Sequence, residues 1–79
     1  VVPADKLLEE TLGWAAELAN KAPLSLRHAK ATLNTAMQQG LSETFDQEAE
    51  LQQLCTESDD AREGSTAFLE KRAPIFNGR

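Results

Sequence analysis

The sequence has few of the residues that stabilise small secreted, metal-binding or β-sheet proteins. Its 79 residues include one cysteine, one histidine, one tryptophan and no tyrosine, and valine and isoleucine together number three. A single cysteine excludes a disulfide scaffold and a cysteine-rich zinc site, and it agrees with a reducing compartment. The scarcity of valine, isoleucine and aromatic residues argues against a β-sheet fold.

Excess positive charge and long hydrophobic runs are lacking as well. Eight basic against 13 acidic side chains give a formal net charge of −5, which disfavours binding to the phosphate backbone of nucleic acids. Uninterrupted apolar runs such as Leu7-Leu8 are far too short to span a bilayer. The stretch Val1-Val2-Pro3 has neither the basic nor the apolar region of a secretory signal, so we expect none here.

Alanine and leucine dominate what is present. They account for 23 of the 32 apolar residues, a composition typical of helices. Three phenylalanines and one tryptophan add little volume to a core. Apolar burial in so short a chain barely exceeds the entropy lost on folding. We therefore expect the chain to depend on a longer parent chain, a partner or further copies of itself.

The spacing of apolar residues predicts an all-α fold with about four helices. The first helix is expected over about residues 3–20, where Pro3 suits the first turn. The second should begin at Pro23 and stop before Gly40, which is the expected left-handed residue at its end. Its predicted apolar stripe consists of Leu26, Ala29, Leu33, Ala36 and Met37.

Two further helices are predicted in the second half of the chain. Ser42 is expected to cap the third helix and Ser58 the fourth, because serine accepts backbone N–H groups at helix starts. The fourth should end near Arg72, before an irregular tail over residues 73–79. Ala61, Gly64, Ser65 and Phe68 are expected on one face of this helix.

The sequence contains no recognisable catalytic or metal-binding constellation. His28 has no second histidine with which to share a metal and is expected at the surface or at the boundary of the core. Cys55 lies mid-helix and is expected to be a small buried or half-buried thiol rather than a nucleophile. Glu43, Asp46 and Glu50 follow one solvated helix face. We therefore assign no catalytic and no metal-ligating residue within the chain.

A cationic cluster closes the sequence after an acidic helix. Residues 41–79 carry four basic and nine acidic side chains, and Lys71, Arg72 and Arg79 lie at their end. Such a cluster either stabilises a helix C-terminus or forms a binding site for an anion such as phosphate or carboxylate.

The last 18 residues carry a specific resemblance. The segment REGSTAFLEKRAPIFNGR, residues 62–79, strongly resembles the C-terminal end of the enoyl-CoA hydratase/isomerase (crotonase) family, where a helix reading EG–x–x–AF–x–EKR precedes P–x–F–x–G. Upstream segments match more loosely in the same order, so the resemblance covers essentially all 79 residues. It implies that residues 1–79 are the C-terminal helical domain of a longer chain, cut away from a spiral αβ core.

In the family, that core holds the oxyanion hole and, in hydratases, two catalytic glutamates. The resemblance therefore implies no catalytic residue here. The family's C-terminal helices cover the acyl-binding region and build a trimer or a dimer of trimers. The resemblance further implies that Phe68 and Lys71 approach the nucleotide end of coenzyme A, which is part of the thioester substrate and is bound mainly by another subunit. The alternatives are a packing role for Phe68 and a solvated cation for Lys71.

The resemblance implies an acyl-CoA enzyme, with an enoyl-CoA hydratase of fatty-acid or related acyl-CoA metabolism as the leading interpretation. The tail of a family isomerase or thioesterase would look much the same. A non-catalytic helical interaction module is the alternative from another class. The expected compartment is the bacterial cytoplasm or the mitochondrial matrix, and neither nucleic acid nor membrane is an expected partner.

Overall fold

The computed structural model describes all 79 residues as helices joined by short turns, followed by an irregular tail. A 3-10 turn, Ala4–Lys6, leads into α1 (Leu7–Ala19). Three further helices follow as α2 (Pro23–Ala36), α3 (Leu41–Thr56) and α4 (Asp59–Glu70). The predicted all-α fold of four helices is confirmed. No helix combines the length and the apolar character needed to cross a membrane.

Two of the predicted helix starts are confirmed in detail. Pro23 occupies the first turn of α2, and Ala22 before it is extended, as proline requires of its predecessor. Ser58 caps α4 from an extended conformation, and its Oγ accepts a hydrogen bond from the N–H of Ala61 at 3.0 Å. Both starts depend on local backbone chemistry, which the sequence displays directly.

The junction between α2 and α3 differs from the prediction. α2 ends at Ala36, in a turn where the N–H groups of Gln38 and Gln39 donate to the carbonyl of Thr35. Gly40 is not left-handed: it is extended, with φ −71° and ψ 169°, and it caps α3. Ser42 consequently lies inside α3 and does not cap it.

The helices form an open, flat array. The radius of gyration is 15.7 Å, and the extents are 42 × 40 × 17 Å. A compact domain of this length would have a radius of gyration of about 12 Å. α2 packs against α3 and α3 against α4, whereas α1 packs mainly against its own leading turn. Only Asp60 and Ala67 are fully buried.

The contact between α2 and α3 is largely polar. On α2 the half-buried residues include His28, Thr32 and Thr35. The Thr35 hydroxyl donates to the side-chain carbonyl of Gln47 on α3 at 3.0 Å. The predicted apolar stripe of α2 is left mostly uncovered, and Met37 is 94% exposed. Large apolar side chains are therefore available to surfaces outside this chain.

Candidate functional site at the end of helix α4

The guanidinium of Arg72 forms ion pairs with two carboxylates at the end of α4, those of Glu63 and Glu70. Its Nη1 and Nη2 donate to the two carboxylate oxygens of Glu63 at 2.6 and 3.1 Å. Its Nε donates to Glu70 at 2.6 Å. A planar guanidinium matches a carboxylate in this bidentate geometry, which fixes orientation as well as distance. Arg72 therefore ties two carboxylates of α4 together beside the helix end.

Lys71 forms the turn at which the chain leaves α4. It adopts the left-handed conformation, with φ 54° and ψ 43°, and is the sole residue other than glycine with positive φ. The N–H of Arg72 donates to the carbonyl of Ala67 at 3.0 Å, and the N–H of Lys71 donates to that of Phe68 at 3.3 Å. These paired bonds form a Schellman motif, in which glycine is the usual left-handed residue.

The tail, residues 73–79, runs back along α4 and is fixed there by backbone hydrogen bonds. Glu63 accepts a third hydrogen bond, from the N–H of Ile75 at 3.0 Å. Asp60 accepts the N–H of Asn77 at 2.7 Å on one oxygen and that of Gly78 at 2.8 Å on the other. We call the carboxylates of Asp60 and Glu63, together with the backbone groups they hold, the tail clamp.

Two close contacts complete the docking of the tail. The ring of Phe76 lies over Gly64, where a Cβ would stand 3.6 Å from the ring edge. Gly78, with φ 79°, lies against Pro23 at the start of α2. The N–H of Asp60 also donates to the carbonyl of Arg79 at 2.8 Å. The tail thus joins the start of α4 to the start of α2.

The electrostatics of Glu63 follow from these hydrogen bonds. The side-chain hydrogen bond from Arg72, assisted by the Ile75 N–H, lowers the pKa of Glu63 from 4.5 to about 2. The same hydrogen bond, followed by the one to Glu70, raises the pKa of the Arg72 guanidinium. Both groups are therefore charged throughout the neutral range.

The two residues expected to contact coenzyme A, Phe68 and Lys71, both lie at this exposed end of α4. Phe68 is 82% exposed, so it contributes little to packing within the chain. Of the four residues expected on one face of α4, Ser65 and Phe68 are exposed, whereas Ala61 and Gly64 are half-buried. The covered face runs through Asp60, Ala61, Gly64 and Ala67. Lys71 lies beyond the last residue of α4, so it does not share a helix face with Phe68.

The sequence analysis did not single out Asp60 or Glu63 as residues that hold the tail. Their spacing of three residues, in register with Gly64 and Ala67, was the available signal. An acid on the face that also carries the smallest residues is positioned to accept hydrogen bonds from a closely approaching backbone.

The remaining candidates form no site with the tail. His28 and Cys55 are half-buried, as predicted. Both line an open groove of about 700 Å³ between α2 and α3. The Ser25 hydroxyl lies 3.8 Å from the Cys55 Sγ. No group of three or more His, Cys, Asp or Glu side chains is arranged to hold a metal ion.

Comparison with known proteins identifies the family. A sequence model described as enoyl-CoA hydratase/isomerase matches residues 1–79. The 2,3-dehydroadipyl-CoA hydratase of Escherichia coli is 39% identical over 79 residues, which are 100% of this chain and 31% of that protein. The crotonyl-CoA hydratase of Syntrophomonas wolfei is 38% identical over 76 residues, or 96% of this chain and 29% of that protein.

Solved structures agree with the sequence matches. An enoyl-CoA hydratase from Bacillus anthracis superposes with a TM-score of 0.90 at 30% identity, over 100% of this chain and 31% of that one. The four helices thus reproduce a helical part of a crotonase-type fold. The chain belongs to the enoyl-CoA hydratase/isomerase family, and it spans about a third of the length of these relatives.

Proposed function

We propose that the chain is the C-terminal helical region of an enoyl-CoA hydratase, which adds water to a 2-enoyl-CoA thioester. Support comes from two relatives that are named as CoA-ester hydratases and match 100% and 96% of this chain. The catalytic glutamates and the oxyanion hole would lie in the part of the parent protein outside residues 1–79. The proposed compartment is the bacterial cytoplasm or the mitochondrial matrix.

Within that parent, we assign this chain to assembly and to covering the acyl site. The observation that carries this assignment is the outward-facing apolar surface of the helices, including Leu33, Met37 and Phe45. An exposed apolar surface of this extent marks an interface. The surface would meet the catalytic core and neighbouring subunits of a trimer or of a dimer of trimers.

Phe68 and Lys71 would contribute to the binding of coenzyme A held mainly by another subunit. An exposed phenyl ring can pack against adenine or ribose, and an ammonium group can pair with a phosphate. Both side chains are exposed at the same end of α4 and are therefore accessible to a ligand there. These contacts are remote from the bond that reacts.

The experiment begins with the intact mass of the polypeptide. A mass near 8.6 kDa would mean that residues 1–79 stand alone, with a role in assembly at most. For a larger parent, the hydration of crotonyl-CoA is measured as the loss of enoyl-thioester absorbance. Turnover supports the hydratase. Its absence would favour a family isomerase, a thioesterase or a non-catalytic interaction module.

The contribution of Lys71 is tested separately in the parent. Lys71→Ala should raise KM for the CoA ester and leave kcat nearly unchanged, since a remote contact binds ground state and transition state alike. Lys30→Ala is the matched control, because it removes an exposed lysine from α2. An unchanged KM in Lys71→Ala would show that Lys71 does not contribute to binding of the CoA ester.

A further inference from the structure

We infer that Glu63 and Arg72 are positioning residues for Lys71: their ion pair holds the end of α4 in the left-handed turn that presents the Lys71 ammonium to a CoA phosphate. This inference rests on the proposed contact between Lys71 and coenzyme A. Neither Glu63 nor Arg72 needs to touch the ligand. Their effect on binding would pass through the backbone conformation of Lys71.

The backbone of Lys71 supplies the first step. A left-handed conformation is unfavourable for a lysine, because its Cβ crowds the carbonyl oxygen, whereas glycine adopts it freely. A lysine keeps this conformation only where several surrounding contacts restrain its backbone. The two hydrogen bonds of the Schellman motif are the general part of that restraint.

The ion pair supplies a second restraint, made by side chains rather than by the backbone. Arg72 immediately follows the left-handed residue, and its guanidinium reaches back nine residues to Glu63. The same carboxylate holds the N–H of Ile75. Glu63 therefore fixes the chain on the far side of the turn at two points, three residues apart, while the α4 backbone fixes the near side. With both sides fixed, Lys71 has few conformations available other than the observed one.

The consequence for binding is a population effect. When a binding-competent conformation is occupied only part of the time, apparent affinity falls by that fraction. Loosening the turn should therefore weaken CoA-ester binding even though the Lys71 side chain is intact. A turn that is left-handed about a third of the time would raise KM about threefold.

The first experiment measures the order of the turn without any ligand. Trypsin cleaves after lysine and arginine, so cleavage after Lys71 and Arg72 in the parent protein reports local opening. Glu63→Gln should increase the cleavage rate at these bonds. Asp59→Asn is the matched control, because it breaks another carboxylate–guanidinium pair on α4, with Arg62, that holds no tail residue. Equal cleavage in Glu63→Gln and wild type would overturn the inference, whatever the role of Lys71.

The second experiment asks whether the ordered turn serves binding. KM and kcat for crotonyl-CoA are compared for Glu63→Gln, Lys71→Ala and the double variant. We expect both single variants to raise KM with kcat retained, and the double variant to match Lys71→Ala alone. Additive effects would mean that Glu63 acts independently of Lys71 and would overturn the inference. A raised KM in Lys71→Ala with a normal KM in Glu63→Gln would overturn it too, but would leave the proposed CoA contact standing.

Discussion

The carboxylate of Asp60 accepts a hydrogen bond from the backbone N–H of Gly78 at 2.8 Å, across 18 residues of sequence. Asp60 lies in the first turn of α4 and is only 3% exposed, whereas Gly78 belongs to the irregular tail. The other oxygen accepts from the N–H of Asn77, so both carboxylate oxygens have a hydrogen-bond donor. A buried acid thus replaces the backbone partners that an irregular segment cannot provide for itself.

Removal of this carboxylate should release the tail. Asp60→Ala leaves the N–H groups of Asn77 and Gly78 without acceptors, and we expect it to cost about 2–4 kcal/mol of local stability. Asp60→Asn should be nearly as damaging, because an amide nitrogen would face a donor.

Hydrogen exchange at the amides of Asn77 and Gly78, measured in the parent protein, checks the role of Asp60. Exchange should accelerate strongly in both variants and remain close to wild type in Asp59→Asn, which alters an exposed neighbour. Unchanged protection at Gly78 in Asp60→Ala would contradict the clamp.

Helix starts were predictable where one residue determines them. Pro23 restricts the backbone before it, and Ser58 carries its own cap acceptor, so each acts through its immediate neighbours. Gly40 illustrates the limit of such signals. It lies between two helices, and either the end of α2 or the start of α3 could use it, so local chemistry does not choose between them.

The partners of the two carboxylates in the tail clamp were not predictable from residue types. The partners of Asp60 and Glu63 are largely backbone N–H groups, which every residue except proline possesses. Only the fold determines which of them come near. Lys71 is a similar case, because lysine has no preference for the left-handed conformation and is held there by groups before and after it. The geometry at the end of α4 was accordingly not predictable from the sequence, because Lys71 lies beyond the helix in a left-handed turn.

The ion pair between Glu63 and Arg72 predicts a dependence of stability on pH. The folded-state pKa of Glu63, about 2, lies below its ordinary value of 4.5. Its contribution is therefore fully present above about pH 4.5 and is lost as the pH falls from there towards 2. Glu63→Gln has no such contribution to lose.

The difference in Tm between the parent protein and its Glu63→Gln variant measures this effect. The difference should be constant from neutral pH to about 5 and should then narrow as the pH falls, since only the parent loses stabilisation. Glu57→Gln, on the exposed end of α3, is a suitable control. A difference in Tm that stays constant down to pH 3 would contradict the lowered pKa.

The left-handed conformation of Lys71 predicts that replacing this residue with glycine raises stability but weakens binding of the CoA ester. Lys71→Gly should stabilise the turn by about 1 kcal/mol, because glycine adopts positive φ without crowding. It also removes the ammonium group, so KM for the CoA ester should rise as in Lys71→Ala. Thermal unfolding and steady-state kinetics on the same preparations test both parts. A destabilised Lys71→Gly variant would show that the left-handed backbone is not under strain.

The exposed apolar surface predicts the behaviour of residues 1–79 in isolation. We expect the isolated chain to self-associate or to be partly unfolded, because its helices share little apolar contact and leave large side chains uncovered. Light scattering and thermal melting over a range of concentrations test this. Trp14, the single tryptophan and an exposed residue of α1, provides a fluorescence signal that should shift to shorter wavelength as chains associate.

A variant with Leu33→Gln and Met37→Gln provides the matched comparison for self-association. Both side chains are exposed, and neither takes part in the hydrogen bond between Thr35 and Gln47 that joins α2 to α3. The double variant should associate less than wild type while keeping its helical content, because it loses apolar surface but not the polar contact. A cooperative, monomeric melting transition in the unmodified chain would instead mean that these helices are stable without a core to cover, and the proposed assembly role would lose its physical basis.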